Sequence, residues 1–210
     1  SGPRLIYVMG GGDGSFNALA SVEIFDPQTN GWTAGVALPA GRSCAAAAAL
    51  EGKIYLVGGA GGSSKVEAFD PQAGAWAEVA PMPTGRQSLT AAVVGGRLFA
   101  IGGLGVVNYL STVEAFDPQT GVWAAVAPMP TARTSAGAAV LDGKIYVVGG
   151  YDGTYFATVE VYDPATNAWS QAPPMSTARS YPGVAALGGK LYAAGGHDGT
   201  DRLSSVEGFD

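Results

Sequence analysis

The stretch RTSAGAAVLDGKIYVVGGYDGTYFATVEVYDPATNAWSQA, residues 133–172, reads as four short strands joined by tight turns. Residues 133–141 are small and apolar, which suits a crowded inner strand. Asp142-Gly143 is a two-residue hairpin turn of the kind that needs positive φ. KIYVVGG (144–150) is a β-branched and aromatic strand closed by glycines. A polar loop, YDGTYFA, leads to TVEVYDP (158–164), which alternates as a strand with two unlike faces should. Thr166-Asn167 makes the next turn, and AWSQA (168–172) begins the fourth strand. No stretch of the chain keeps a 3.6-residue period, so the sequence predicts no helix.

The same pattern fills the chain on either side. A Gly-Gly pair closes a short apolar run at Gly10-Gly11, Gly58-Gly59, Gly102-Gly103, Gly149-Gly150 and Gly195-Gly196, in steps of 48, 44, 47 and 46 residues. Tryptophan recurs at Trp32, Trp76, Trp123 and Trp169, in steps of 44, 47 and 46. A Val-Glu pair followed by an aromatic-Asp pair begins at Val22, Val66, Val113, Val159 and Val206. Markers that share one period define a tandem array. The units expected are 1–41, 42–85, 86–132, 133–178 and 179–210.

Bulk composition agrees with many short strands. Hydrophobic residues make up 47% of the 210 and charged ones 13%, so the chain folds. Its 33 glycines far exceed the usual share of roughly 7%. The longest aliphatic stretch, Ala45 to Leu50, is far shorter than the roughly 20 residues that span a bilayer. No signal-peptide pattern opens the chain. A formal charge of −6 argues against nucleic-acid binding through a broad basic face. The single cysteine, Cys44, excludes an intramolecular disulfide and fits a reducing, cytoplasmic setting.

Gly-Gly, then Val-Glu and aromatic-Asp-Pro, then Trp, Met-Pro and a Gly/Ala-Arg pair resembles the kelch repeat, and the resemblance covers the whole chain. It implies an all-β fold, a kelch β-propeller whose blades are four antiparallel strands. Labelled a to d from the axis outward, the strands begin at b (Pro3 to Met9) and end at c (Ser205 to Asp210). That gives eighteen strands, or four and a half blades. Kelch propellers commonly have six blades, which at this period need roughly 280 residues. An incomplete ring from a six-bladed parent, a five-bladed ring with unpaired edges and a four-bladed closure with an overhanging hairpin are the arrangements in view. Open strand edges invite self-association.

Little in the sequence stands apart as chemistry. Of 17 acidic residues, ten occupy the Val-Glu and aromatic-Asp positions, and most of the rest sit in turns. Arg42, Arg86, Arg133 and Arg179 recur before strand a, and the expectation is that they pair with the repeated Glu across blades. Tryptophan is expected to fill the wedge between blades. Cys44, among alanines, reads as a small core residue. One histidine, His197, supplies neither a metal site nor a triad. No catalytic residue and no cofactor are expected. Enzymes with this fold include copper-radical sugar oxidases and iron-dependent specifier proteins. A sialic-acid mutarotase-like enzyme, needing an acid and an arginine facing the channel, is the enzymatic alternative.

The resemblance implies instead a face for binding a protein or peptide, made by the loops from b to c and from d to a. Contacts would come from the residue after Gly-Gly: Gly12, Ala60, Leu104, Tyr151 and His197. They would come also from the residue six places beyond that pair: Tyr109, Phe156 and Arg202, with Asn17 as counterpart in the first loop. The residue after the repeated Arg gives Ser43, Gln87, Thr134 and Ser180. These loop positions vary while the scaffold repeats, the usual arrangement for recognition. Only Arg202 among them is cationic, so a hydrophobic or aromatic anchor suits Tyr109, Tyr151 and Phe156 better than an acidic peptide. Resemblance to BTB–kelch adaptors implies the substrate-recognition part of a ubiquitin ligase. A structural or engineered array without a specific ligand is the competing class.

Overall fold

The computed structural model describes residues 4–15 and 17–209. Pro3 and Asp210, expected in the first and last strands, lie outside the described residues. The first sheet holds β1 (Ile6–Met9), β2 (Val22–Asp26) and β3 (Gly31–Ala34). The second holds β4 (Ala46–Leu50), β5 (Lys53–Val57), β6 (Val66–Asp70) and β7 (Ala75–Val79). The third holds β8 (Thr90–Val94), β9 (Arg97–Ile101), β10 (Val113–Asp117) and β11 (Val122–Ala125). The fourth holds β12 (Gly137–Leu141), β13 (Lys144–Val148), β14 (Val159–Asp163) and β15 (Ala168–Ala172). The fifth holds β16 (Gly183–Leu187), β17 (Lys190–Ala194) and β18 (Val206–Phe209).

Each sheet is an antiparallel meander, and eighteen strands fall in five sheets among the described residues. The first sheet lacks strand a and the fifth lacks strand d. Inner strands pack in sequence, β4 on β8, β8 on β12 and β12 on β16. This is a five-bladed β-propeller without helix among the described residues. Strand a of the fourth blade starts at Gly137 rather than Arg133. The intervening residues are held otherwise: Arg133 turns inward, and Ser135 takes a left-handed φ of 56° that no strand tolerates.

Hairpins between strands a and b carry the sequence signature. Glu51-Gly52, Gly95-Gly96, Asp142-Gly143 and Gly188-Gly189 all have positive φ at both central positions, which matches the twist of the flanking strands. Turns between c and d are capped by the repeated Asp. Asp70, Asp117 and Asp163 accept hydrogen bonds from the backbone two residues on, at 2.8–2.9 Å.

Four apolar clusters, one at each junction between successive blades, form the core. Leu98, Phe99 and Ile145 are fully buried there, each stabilising by about 1.5–3 kcal/mol relative to exposure. An aromatic on strand b faces one on strand c of the next blade: Tyr7 with Phe69, Tyr55 with Phe116, Phe99 with Tyr162 and Tyr146 with Phe209, at 5.7–6.1 Å. Each tryptophan stacks on its own blade's strand c aromatic at 5.1–5.2 Å. The indole N–H then donates to the preceding blade: Trp76 to Val36 O, Trp123 to Ala80 O and Trp169 to Ala127 O, at 2.8–3.1 Å. Trp32 has no such neighbour and is 57% exposed.

Backbone contacts complete the joins. Gly11, Gly59, Gly103 and Gly150 donate their N–H to the carbonyls of Arg42, Arg86, Arg133 and Arg179 in the next blade, at 2.8–3.0 Å. The glycine before each pair member is needed for this approach, since a Cβ at Gly102 would sit 2.6 Å from Arg133 O. A second belt runs nearer the axis. Ser88 N–H donates to Cys44 O, Ser135 N–H to Ser88 O and Tyr181 N–H to Ser135 O, at 2.7–2.8 Å. All four residues have φ between 49° and 56°. Cys44 is therefore an exposed belt residue, not a core one, because the left-handed backbone points it away from the sheet.

Candidate functional site

The repeated charges build the frame under the loops. Arg42 pairs with Glu67, Arg86 with Glu114 and Arg133 with Glu160, at 2.6–2.7 Å, and Arg179 pairs with Glu207. These pairs lie within one blade, not across blades as the sequence suggested. The chain leading into strand a lays its arginine back over strands b and c of the same sheet. Arg86 also donates to the carbonyls of Gly102 and Thr112, so the guanidinium ties together both ends of its b–c loop. Burial pulls the pKa of Arg86 and of Arg133 down, and the partner carboxylates pull it back up.

The four pairs are not equal. Glu114 also accepts from the hydroxyl of Thr84, and Glu207 from the hydroxyl and N–H of Ser176. Arg133 Nη2 stands 2.7 Å from Glu160 Oε1, and no neighbouring hydroxyl or N–H adds a second donor to Glu160. Glu23, the first-blade counterpart, is exposed and forms no ion pair among the described residues.

Above this frame the loops are laced into small ladders. Leu104 bridges Gln87 and Tyr109, Tyr151 bridges Thr134 and Tyr155, and His197 bridges Ser180 and Arg202. The three sets of positions named from the sequence thus meet in the third and fifth blades, whereas in the fourth Tyr155 stands in place of Phe156. In the second blade Ala60 N–H donates to Ser43 O at 2.8 Å. Gly12 bridges only Ala18 in the first.

Facing directions differ from position to position. Thr134 and Ser180 are buried, and their hydroxyls donate to Ser88 O and His197 O. Gln87 is half-buried and accepts from Gly61 N–H at 2.9 Å. Asn17 bonds back to Asp13 through both its backbone and its amide, and these bonds hold the Asp13 carboxyl below its ordinary value. Phe156 is turned inward, its ring 4.9 Å from the Arg133 guanidinium. Tyr155 takes the outward place instead.

The reason is a difference in loop length. Gly-Gly and Val-Glu are one residue closer in the fourth unit than in the third or fifth, so counting forward from Gly-Gly lands one residue late. Counting back from Val-Glu gives Tyr109, Tyr155 and Arg202 in register, with Leu110, Phe156 and Leu203 as the inward neighbours.

The outward residues form an aromatic row. Tyr109 meets Tyr151 edge-on at 5.9 Å, Tyr151 meets Tyr155 at 4.9 Å, and Tyr155 meets His197 at 5.7 Å. At one end of the row, Tyr155, Ser180, Tyr181, Gly196, His197 and Arg202 line an open hollow of about 390 Å³. Val106 and Val107, 86% and 90% exposed, stand on the same b–c loop as Tyr109 at the other end. Asp198 beside the hollow is held below its ordinary pKa by the N–H groups of Asp201 and Thr200, with His197 adding to the effect.

A second hollow on the axis is lined by Cys44, Ser88, Ser135, Tyr181 and their neighbours, with no acid or arginine in its wall. Among the described residues no group of three or more His, Cys, Asp or Glu could hold a metal. No helix among the described residues is long and apolar enough to cross a membrane.

Five antiparallel meanders packed side by side through their inner strands define a β-propeller. The chain belongs to the kelch-repeat family: residues 5–196 match the KLHDC2/KLHL20/DRC7 Kelch-repeats domain. It is 43% identical over 60 residues to Kelch-like protein 33 of Homo sapiens, covering 29% of this chain and 11% of that protein. It is 45% identical over 56 residues to Kelch-like protein 35 of Mus musculus, 27% and 10% of the two chains. Beta-scruin of Limulus polyphemus is 41% identical over 54 residues, 26% and 6%. The matched segments span about a tenth or less of these relatives. The solved structure of YjhT superposes with a TM-score of 0.78 at 20% identity, over 91% of this chain and 69% of that one, a likeness of fold.

Proposed function

We propose that this kelch propeller is a protein-interaction module that grips an extended segment of a partner on the face of the b–c and d–a loops. The aromatic row Tyr109–Tyr151–Tyr155–His197 carries the reading. Tyrosines that lean on one another offer large contact area at low entropic cost, and their hydroxyl ends stay wet. Gln87, Ser43, Thr134 and Ser180 set the backbone beneath the row rather than reaching out from it. Arg202 supplies one positive charge at the hollow, and Val106 and Val107 extend the apolar contact. A partner with an aromatic or apolar anchor and at most one or two acids fits this chemistry.

Kelch-like relatives support the module reading. The finer assignment, recognition of substrate for a ubiquitin ligase in the cytoplasm, rests on the resemblance to BTB–kelch adaptors. Selection of a random peptide library on the wild-type chain, followed by anisotropy with the selected peptides, tests the face. Tyr151→Ala and Tyr155→Ala should each weaken binding at least tenfold with melting unchanged. Peptides that bind both variants as well as wild type would overturn the site. A library that yields no binder would favour a structural array.

A further inference from the structure

The left-handed belt around the axis is small at three of its places, Cys44, Ser88 and Ser135, and large at the fourth, Tyr181. A bulky side chain at φ 52° is an outlier, and such strain persists where the surroundings or a function require it. The surroundings do not require this ring. Tyr181 N–H donates to Ser135 O, a bond that any residue but proline can make. Among the described residues its ring stacks on no other ring and its hydroxyl forms no hydrogen bond. Pro182 follows and stiffens the chain, where the other units have Ala45, Leu89 and Ala136.

Position gives the ring a use. Tyr181 lines both the hollow of about 390 Å³ beside Tyr155, His197 and Arg202 and the axial hollow of about 230 Å³. The axial wall is otherwise Ala45, Leu89, Ala136 and Pro182, with Cys44, Ser88 and Ser135. Ser135 is buried, and its hydroxyl, like that of Ser88, has no hydrogen-bond partner among the described residues. Inner strands and loops wall both hollows, away from the outer edge of any sheet.

We propose that Tyr181 is a specificity-determining residue of the recognition face. Its ring divides the two hollows, and the partner segment crosses it with a short, uncharged side chain in the axial one. This role rests on the loop face being the binding face. The axial wall offers no counter-charge, so a carboxylate or ammonium placed there would carry its desolvation cost uncompensated. A serine or threonine side chain meets both the alanines and the two serine hydroxyls. The belt bond and Pro182 hold the ring in place before the partner arrives, which limits the ordering cost of binding.

The probes are peptides selected from the random library on the wild-type chain, measured by anisotropy against Tyr181→Gly and Tyr181→Ser. Glycine relieves the left-handed strain, and serine is the residue of the third and fourth blades. The glycine variant should melt at or above wild type and the serine variant with it. Both should bind about tenfold more weakly, the loss of a tyrosine hot spot. In a positional scan, one peptide residue should accept only Ala, Ser, Thr or Val on the wild type, and Leu and Phe as well on Tyr181→Ser. Unchanged binding by peptides that Tyr151→Ala weakens would overturn the role of Tyr181 and leave the loop face standing. A lower melting temperature in Tyr181→Gly, or the same size limit in Tyr181→Ser, would do so too. Peptides indifferent to Tyr151→Ala and Tyr155→Ala, or a library without binders, would remove the face itself and this role with it.

Discussion

Glu114→Gln tests the charge frame most directly. The substitution keeps the shape of the side chain: its one oxygen can still accept from Arg86 while the amide NH2 donates to the Thr84 hydroxyl, so what it removes is the negative charge. Arg86 is 0% exposed and then carries its charge with only the Gly102, Thr112 and Thr84 carbonyls facing it. Leaving one member of a buried pair uncompensated costs about 3–5 kcal/mol. The retained hydrogen bonds put this case at the lower end, about 3 kcal/mol. For a chain of this size each kcal/mol lowers the melting temperature by about 2–4 °C, which predicts a fall of about 6–12 °C. Glu23→Gln is the control within the same molecule, since that carboxylate is exposed and unpaired among the described residues. Its melting temperature should stay within about 1 °C, the range of surface changes. Thermal melts followed by circular dichroism decide the matter. Equal melting temperatures for Glu114→Gln and wild type would refute the reasoning, as would an equal fall in Glu23→Gln.

Trp123→Phe loses a 2.8 Å bond to Ala80 O and part of a side chain 9% exposed, and should cost about 2 kcal/mol in urea unfolding. Trp32→Phe, at the open end, should cost almost nothing. Gly102→Ala and Gly95→Ala both place alanine at φ near 58°, but only the first sets a Cβ 2.6 Å from a backbone oxygen. Calorimetry should find the Gly102 variant less stable by at least about 2 kcal/mol more than the Gly95 one. Acid should destabilise the chain in a defined direction. Burial raises the Glu207 pKa, but bonds from Ser176 and the charge of Arg179 outweigh it and leave the group below its ordinary 4.5. The turn acids Asp70 and Asp163 are likewise held below 3.8 by backbone N–H donors. A lowered folded pKa means stability is full above the unfolded value and is lost as pH falls through the folded one. Chemical-denaturation midpoints should therefore be flat above about pH 5 and drop steadily below about pH 4. A midpoint that rises on acidification would contradict these assignments.

Most of the architecture was legible in the sequence because its causes are local and repeat. Asp142-Gly143 needs positive φ, Val-Glu-aromatic-Asp alternates, and Gly-Gly ends a strand, in unit after unit. Five sheets with an incomplete first and last follow from counting those signals. The loop face was partly legible too: Tyr109, Tyr151, His197 and Arg202 are where the repeat predicts them. Phe156 was not, because its facing depends on a one-residue difference in loop length, and only the measured register tells Tyr155 from its neighbour. Nor could periodicity say that Arg86 folds back onto Glu114 of its own blade rather than the next. Both partners recur at one spacing, so every unit offers the same choice, and the path of the backbone makes it. Cys44 among alanines looks like core until the left-handed belt turns it outward. The sequence alone determined what recurs along the chain. Which face each side chain takes, and which blade it holds, came from packing between distant residues, where a single shift of register exchanges inside for outside.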